Sequence, residues 1–476
     1  LLDLQAVDYP QLLHAFASGN DGDNTCAPFP KAYHTVLGGY QSAKNIITVG
    51  RTDYTQVSST SSSSGPVRDG RLKPEITGIG IINSLNGTGN GYFVDFGTSM
   101  SSPNIAGGLA LLYERYRQLN GGANPQGSLM KAILLNGARD VGTAGPDFRH
   151  GYGTMMLERS LCILENKQYS ERIITQAQVQ DSVITVPANT RQLKVMLYWH
   201  DPAANVLATN TLVHDLDLEV IGPGNQFFLP SVLDASSAGV TNGSTPGADH
   251  TNNQEQVIIN NPPAGNYTIR VKGTEILTQP QQPYAIAFDF VPVELRFTNP
   301  VKGSMVQAEN FGFPVAWEDE GNGTGLYKLE YSLDNGSNWT EIVNDLKDTT
   351  RLYFWEPGPV RSPTAKLRLT KGAASITSET FAVIPNLTFS AAVANDQCYG
   401  YFRINFTPLT PAGGETIDYL VKLKKGVAME TVAEVSGQNF YIIGNLHPDS
   451  TYYAAVVARI NGVEGGYNTA ITRRPN

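Results

Sequence analysis

The sequence predicts a multidomain protein: an α/β domain built on a parallel sheet, followed by all-β sandwiches. Three observations predict it. The first third carries continuous apolar strands and helices rich in small residues. After about Glu165 the texture changes to short β-rich runs separated by Pro, Gly and Asn. The 476 residues, 41% hydrophobic and only 16% charged, supply apolar material for several cores.

In the first region, residues 12–17 and 45–50 are continuous apolar runs, the pattern of parallel strands covered on both faces. A helix is predicted from Ser101. Pro103 falls in its first turn, where the missing N–H is harmless, and Ile105, Leu109 and Leu112 form its apolar stripe. Gly107 and Gly108 mark close packing. Ser128 is expected to cap a second helix that Gly137 closes.

Residues 183–186, 193–199, 216–221, 256–259 and 267–271 read as sandwich strands. Near Pro292 a new module begins, with a hairpin of residues 327–333 and 339–343 around a tight Asn335-Gly336 turn. A last module starts around Asn386. The expected domains are therefore 1–165, 166–292, 293–385 and 386–476.

A net charge of −9 without any Lys/Arg block argues against nucleic acid as a partner. No apolar run reaches the roughly 20 residues that span a bilayer, so no transmembrane segment is expected. The chain opens without an initiator Met or a signal peptide, and the protein is expected to start upstream of Leu1. Cys26, Cys162 and Cys398 lie far apart with no metal-ligand spacing; they read as mostly free or buried thiols, with a Cys26–Cys162 disulfide left open.

The strongest chemical signal is Gly97-Thr98-Ser99-Met100-Ser101-Ser102-Pro103, leading straight into the helix. A serine there sits at a helix N-terminus, where backbone N–H groups and the helix dipole face a developing oxyanion. Ser-rich helix caps are common, so the three residues Gly97-Thr98-Ser99 alone would say little. The second signal is Ala17-Ser18-Gly19-Asn20-Asp21-Gly22. An Asn amide is a neutral, short oxyanion donor. In isolation this hexapeptide is a plain turn; paired in this order with the serine stretch, it points to a nucleophile and its oxyanion donor.

Both stretches resemble the subtilase (subtilisin-like, peptidase family S8) motifs G-T-S-M-[AS]-[ST]-P and A-G-N-x-G, and residues 1–165 resemble the second half of that family's catalytic domain. The resemblance implies an α/β subtilisin-like fold, with Ser99 as nucleophile and Asn20 as oxyanion-hole amide. Ala17, Ser18, Gly19, Gly97 and Thr98 would be substrate-binding segments, Ala17 and Gly19 lining S1. Segments 64–66, 69–75 and 151–153 are similar to subtilase segments too. Gly78-Ile79-Gly80 departs from the family's A-P-G.

Subtilases run Asp, His, Ser along the chain, yet only 19 residues precede Asn20. None of the seven histidines is followed by Gly-Thr. His14 reads as structural, His34 lies on the wrong side of the Asn motif, and the others follow Ser99. No base or acid is assigned within this chain. A separate N-terminal fragment of the same protease, released by nicking, is expected to carry Asp and His; simple truncation is the alternative.

Residues 166–292 resemble the C-terminal jelly-roll domain of larger bacterial subtilases, through Trp199-His200-Asp201-Pro202, Val213-His214-Asp215-Leu216-Asp217-Leu218 and residues 265–271. Asp215 and Asp217 alternate with leucines and so share one strand face, as a hard-cation site uses; a solvated polar face explains them equally well. The resemblance makes Asp201, Asp215 and Asp217 candidate ligands for structural calcium. No cofactor is expected for catalysis.

Residues 293–385 resemble an immunoglobulin-like sandwich with Trp317 and Trp339 in its core. Residues 386–476 resemble fibronectin type III, through Leu446-His447-Pro448-Asp449-Ser450-Thr451-Tyr452. The whole implies a secreted or cell-surface bacterial serine endopeptidase that cleaves polypeptides through an acyl-enzyme on Ser99. The alternative is an inactive scaffold or adhesin whose β modules bind protein or glycan.

Overall fold

A computed structural model describes residues 1–36, 38–54, 59–85, 92–307, 312–321, 324–391, 400–467 and 469–475. The chain forms two compact units, 1–293 and 294–476.

Unit 1 opens with helix α1 (Leu2–Asp8) and a parallel sheet of β1 (Ala15–Ala17), β2 (Ile47–Thr52) and β3 (Ile76–Ile79), in the order β1-β2-β3. An antiparallel ribbon of β4 (Ile81–Leu85) and β5 (Tyr92–Phe96) follows. Next come helices α2 (Thr98–Leu119), α3 (Gly127–Asn136) and α4 (Leu157–Glu165). Ile105, Leu109 and Leu112 are the buried stripe of α2, as expected.

Several details differ from the sequence reading. Helix α2 begins at Thr98, three residues early, so Pro103 lies past the first turn and cannot donate to the Ser99 carbonyl. Of the two glycines, only Gly108 is closely packed: a Cβ there would sit 2.5 Å from the Met155 sulfur, whereas one on Gly107 meets nothing. Gln126, not Ser128, is the N-cap of α3, and no side chain caps it. Cys26 is a thiol, so no Cys26–Cys162 disulfide forms. Cys398 lies outside the described residues.

The remaining strands of unit 1 are β6 (Tyr169–Ile174), β7 (Val179–Val186), β8 (Thr190–Tyr198), β9 (His214–Gly222), β10 (Gln226–Phe228), β11 (Ser231–Val232), β12 (Thr245–Pro246), β13 (Gln254–Asn260), β14 (Gly265–Ile276) and β15 (Gln282–Pro292). They build two antiparallel four-stranded sheets, β10-β9-β14-β7 and β13-β8-β15-β6, while β11 pairs β12. Leu193, Val195 and Leu197 meet Leu216, Leu218 and Val220 between the sheets. The alternate residues Met196, Tyr198, Ala285 and Ala287 share a core with Leu129 and Ile133 of α3. Strand β8 is thus covered on both faces, which is why it reads as a continuous apolar run although its sheet is antiparallel.

Charged groups reinforce that joint. Lys73, Glu75 and Lys131 are all at most 1% exposed. Glu75 pairs with Lys73 and, at 2.9 Å, with Lys131 of α3, and it accepts the Thr48 N–H of β2 at 2.7 Å. Lys131 Nζ also lies 4.5 Å from the centre of the Tyr198 ring on β8. Burial pushes the Glu75 carboxyl up, but Lys131 and Lys73 outweigh it and hold it below its usual value. Burial pulls Lys73 down to about 7 against the opposing pull of Glu75.

Unit 2 is all β. Residues 306–383 and 382–460 each surround a hydrophobic cluster, the first including Trp317, Trp355 and Phe381. Trp317 is fully buried as expected; Trp339 is half-buried instead, stacked with the Arg368 guanidinium 4.4 Å from its ring. The expected hairpin forms, but its last register pair is Tyr331↔Thr340, so its loop is longer than a two-residue turn. Ser332 and Asp334 organise that loop, the Asp334 carboxylate accepting the Asn338 N–H at 2.8 Å. In the last cluster the Tyr452 hydroxyl accepts the His447 N–H at 2.8 Å, a hydrogen-bonded corner at the expected stretch.

Replacing Glu75 by Gln leaves two buried ammonium groups without their carboxylate. Breaking such a buried pair costs about 3–5 kcal/mol, and chemical denaturation of the E75Q chain should show a loss of that order.

Candidate active site

Two chain segments converge at the C-terminal end of β1 and the N-terminal end of α2. Strand β1 pairs in parallel with β2, and the Ser18 N–H continues the ladder to the Val49 carbonyl at 2.9 Å. The chain then turns through Gly19, at φ +111°, a backbone region that favours glycine. That turn presents Asn20.

A Ser-rich segment braces the Asn loop from below. Ser63 N–H donates to the Gly19 carbonyl at 2.9 Å, and Gly22 N–H to the Ser61 carbonyl at 2.9 Å. Ser63 Oγ accepts the Asp21 N–H at 3.0 Å, and Ser18 Oγ donates to the Ser63 carbonyl at 3.1 Å. A Cβ on Gly22 would fall 2.3 Å from the Ser62 carbonyl oxygen, which explains the glycine that closes this motif. Sequence reasoning missed the part played by Ser61 and Ser63. The signal was the unbroken hydroxyl run 58–64, whose residues 62–64 are buried.

Asn20 Oδ1 accepts both the Thr98 N–H, at 3.1 Å, and the Thr98 hydroxyl, at 3.2 Å. With its oxygen held twice, the exposed Asn20 amide presents Nδ2 as its donor, beside Gly97. Ser99 is the exposed second residue of α2, between buried Thr98 and half-buried Met100. The first-turn N–H groups of a helix lack intrahelical partners. The arrangement therefore offers an exposed serine hydroxyl, a helix N-terminus and an oriented side-chain amide at one place.

The structure brings Ala17, Ser18, Gly19, Asn20, Gly97, Thr98 and Ser99 together. Ala17 and Gly19 are half-buried, while Ser18, Gly97 and Thr98 are buried. The Ser18 and Thr98 side chains therefore act as supports for the loop and for Asn20. Gly80, the glycine that Gly78-Ile79-Gly80 has in common with A-P-G, has a physical reason. Its carbonyl accepts the Gly97 N–H at 3.0 Å, and a Cβ on it would lie 2.7 Å from the Gly97 carbonyl oxygen and 2.4 Å from Ser101 Oγ.

Among the described residues no histidine is hydrogen-bonded to Ser99. His14 bonds Gln5, His34 bonds the Pro66 carbonyl, and His214 bonds Gln282. His150 is paired locally with Asp147 at 3.0 Å, and His250 with Asp215 at 2.7 Å. Burial pushes His200 down to about 3, so it stays neutral.

The subtilase family profile matches residues 4–153. These residues are thus similar to the subtilase family. The bacterial pre-peptidase C-terminal domain matches residues 178–273, within the two-sheet part of unit 1. Among curated proteins, the serine protease/ABC transporter B family protein tagA of Dictyostelium discoideum is 26% identical over 263 residues, 47% of this chain and 15% of that protein. The related tagD protein of the same organism is 25% identical over 301 residues, 46% of this chain and 16% of that protein. The chain thus spans about one-sixth of the length of these relatives. Among solved structures, a lanthipeptide protease is 22% identical, covering 34% of this chain and 54% of that one, with a TM-score of 0.27. The PatG macrocyclase in complex with peptide is 19% identical, covering 34% of this chain and 45% of that one, also with a TM-score of 0.27.

The expected metal ligands separate. Asp201 is fully buried, and its carboxylate is consumed by Lys44 and by the Val213 and His214 N–H groups at 3.0 and 2.7 Å. Asn45 Oδ1 accepts the Asp201 N–H at 3.0 Å and Asn253 Nδ2 at 3.0 Å. The expectation that Asp201 is a cation ligand is therefore corrected: it ties the subtilase domain to the β sheets. Asp215 and Asp217 do share a face, and His250, which sequence reasoning missed, joins them. Burial pushes the Asp215 carboxyl up to about 6 although His250 pulls it down, and burial also raises Glu255 well above its usual value.

Replacing Gly80 by Ala forces the α2 N-terminus away from Asn20. Overpacking of this kind costs about 1–3 kcal/mol; the G80A chain should unfold at correspondingly lower denaturant.

Proposed function

We propose that the chain carries the nucleophile and oxyanion hole of a serine endopeptidase, and that it hydrolyses polypeptides through an acyl-enzyme on Ser99. The observation that supports this most directly is the double hydrogen bond from Thr98 to Asn20 Oδ1. A turn residue needs no such bond, whereas an oxyanion donor needs its amide oriented before substrate arrives.

In this reading Ser99 Oγ attacks the scissile carbonyl carbon, and the electron pair of the C=O bond moves to oxygen. The Ser99 backbone N–H and Asn20 Nδ2 stabilise that oxyanion. Collapse of the intermediate expels the amine and leaves the acyl-enzyme, which water then hydrolyses. A histidine must take the Ser99 proton and return it to the amine, oriented by an Asp. We assign both to a partner polypeptide, the N-terminal fragment of the same protease. The surface around the nucleophile supports this. Strand β1 is an edge of its sheet, and β5, which leads into Gly97, exposes Tyr92, Phe93, Val94 and Phe96 at 44–68%. A β edge next to aromatic surface calls for a covering segment. Secretion or display at a bacterial surface completes the reading. Among the described residues no helix is long and apolar enough to cross a membrane.

A fluorophosphonate probe tests the proposal. In the presence of the segment supplying Asp and His, intact mass should show one probe on Ser99 and none on the S99A chain. Asn20→Ala should slow peptide turnover by roughly 10²–10³. An unlabelled Ser99 in that assembly would instead favour a catalytically silent scaffold.

A further inference from the structure

A second cluster of polar groups lies on the outer face of the sheet containing β9. Asp215 and Asp217 project from β9 on the side opposite Leu216 and Leu218, which fill the inter-sheet core. The segment before β13 brings His250 over them. Its Nδ1 lies 2.7 Å from Asp215 Oδ2 and 3.8 Å from Asp217 Oδ1, and all three groups offer ligand atoms within 4.8 Å of one another.

The cluster is short of hydrogen-bond partners. Asp215 Oδ1, Asp217 Oδ1 and Glu255 Oε1 are buried with no hydrogen bond. Glu255 is 1% exposed, and its other oxygen accepts the Leu218 N–H at 2.7 Å, next to Asp217. Among the described residues no lysine or arginine pairs with Asp215, Asp217 or Glu255; nearby Lys272 is taken by Glu219. Buried Asp215 and Glu255 and half-buried Asp217 face one imidazole, and carboxylate charge in such a place is costly. A bound cation removes that cost.

We propose that Asp215, Asp217 and His250 bind one divalent cation of the zinc class. The ligand chemistry selects it. Calcium takes about six to eight oxygen ligands and does not favour imidazole. Two carboxylates and one ring nitrogen within 4.8 Å of one another suit an ion with bonds of about 2.0–2.2 Å and a fourth position left for water, once the 2.7 Å Asp215–His250 hydrogen bond opens to admit it. The His250 side chain is 58% exposed, so that position opens to solvent. The Thr274 hydroxyl bonds Asp217 Oδ2 and fixes the carboxylate. Glu255, held by the Leu218 N–H next to Asp217, adds a buried carboxyl behind the ligands. Asp201, engaged elsewhere, takes no part.

The test reads bound metal rather than turnover, so it stands apart from the protease proposal. The 476-residue chain is stripped with chelator and titrated with zinc, and separately with calcium, by calorimetry. One zinc per chain should bind and raise Tm. His250→Ala should weaken binding at least ~10-fold, and the rise in Tm on adding zinc should shrink with it. Thr274→Val should weaken zinc binding less than His250→Ala. Failure to bind stoichiometric zinc, zinc affinity unchanged in H250A, or preferential binding of calcium would each overturn the assignment.

Discussion

Glu75 is the interaction on which unit 1 depends. One carboxylate holds the backbone of β2 through Thr48, the adjacent Lys73, and Lys131 of α3. Lys131 in turn lies against the Tyr198 ring of the sandwich sheet. Charges buried this deeply are costly unless every partner is in place. They therefore fix one relative placement of parallel sheet, helix and sandwich, where an apolar core would tolerate several.

That placement sets the site. Strand β1 delivers the chain to the Asn20 turn because it is in register with β2, and β2 is pinned at Thr48. Helix α2 starts at Thr98 only because Gly97 lies close on Gly80. Asn20 and Thr98 then meet from opposite directions, and the hydrogen bonds between them turn two loop ends into one preorganised surface. Preorganisation of this kind is where most electrostatic stabilisation of an oxyanion originates.

The sandwich strands are part of this framework. Met196, Tyr198, Ala285 and Ala287 belong to the same core as α3. The Lys44–Asp201 pair and the Asn45–Asn253 contact close the same boundary with polar groups. The outer face of the same β structure carries carboxylates that its own side chains leave partly unmatched, so one module combines a structural joint with an uncompensated acidic surface.

How much was legible follows from range. The stretches around Ser99 and Asn20 could be read because each is local: glycine where the backbone must turn or approach closely, a serine at a helix start, and short polar residues between. The texture change after Glu165 was legible because sandwich strands follow a local period. The role of Asp201 was not, because its partner Lys44 lies 157 residues away; spacing suggested a cation ligand where the fold supplies an ammonium group. His250 and Glu255 were missed for the same reason, since they reach β9 across a gap between strands. Ser63 was hidden in a low-complexity run whose hydroxyls acquire meaning only against the Asn20 loop. The sequence by itself determined the class of each region and singled out Ser99 and Asn20 as the candidate pair, since both depend on residues within a few positions. Only the tertiary structure decided which way the amide faces, which carboxylates are matched by cations, and which module braces which, because hydrogen bonds and charge compensation are settled by distance in space.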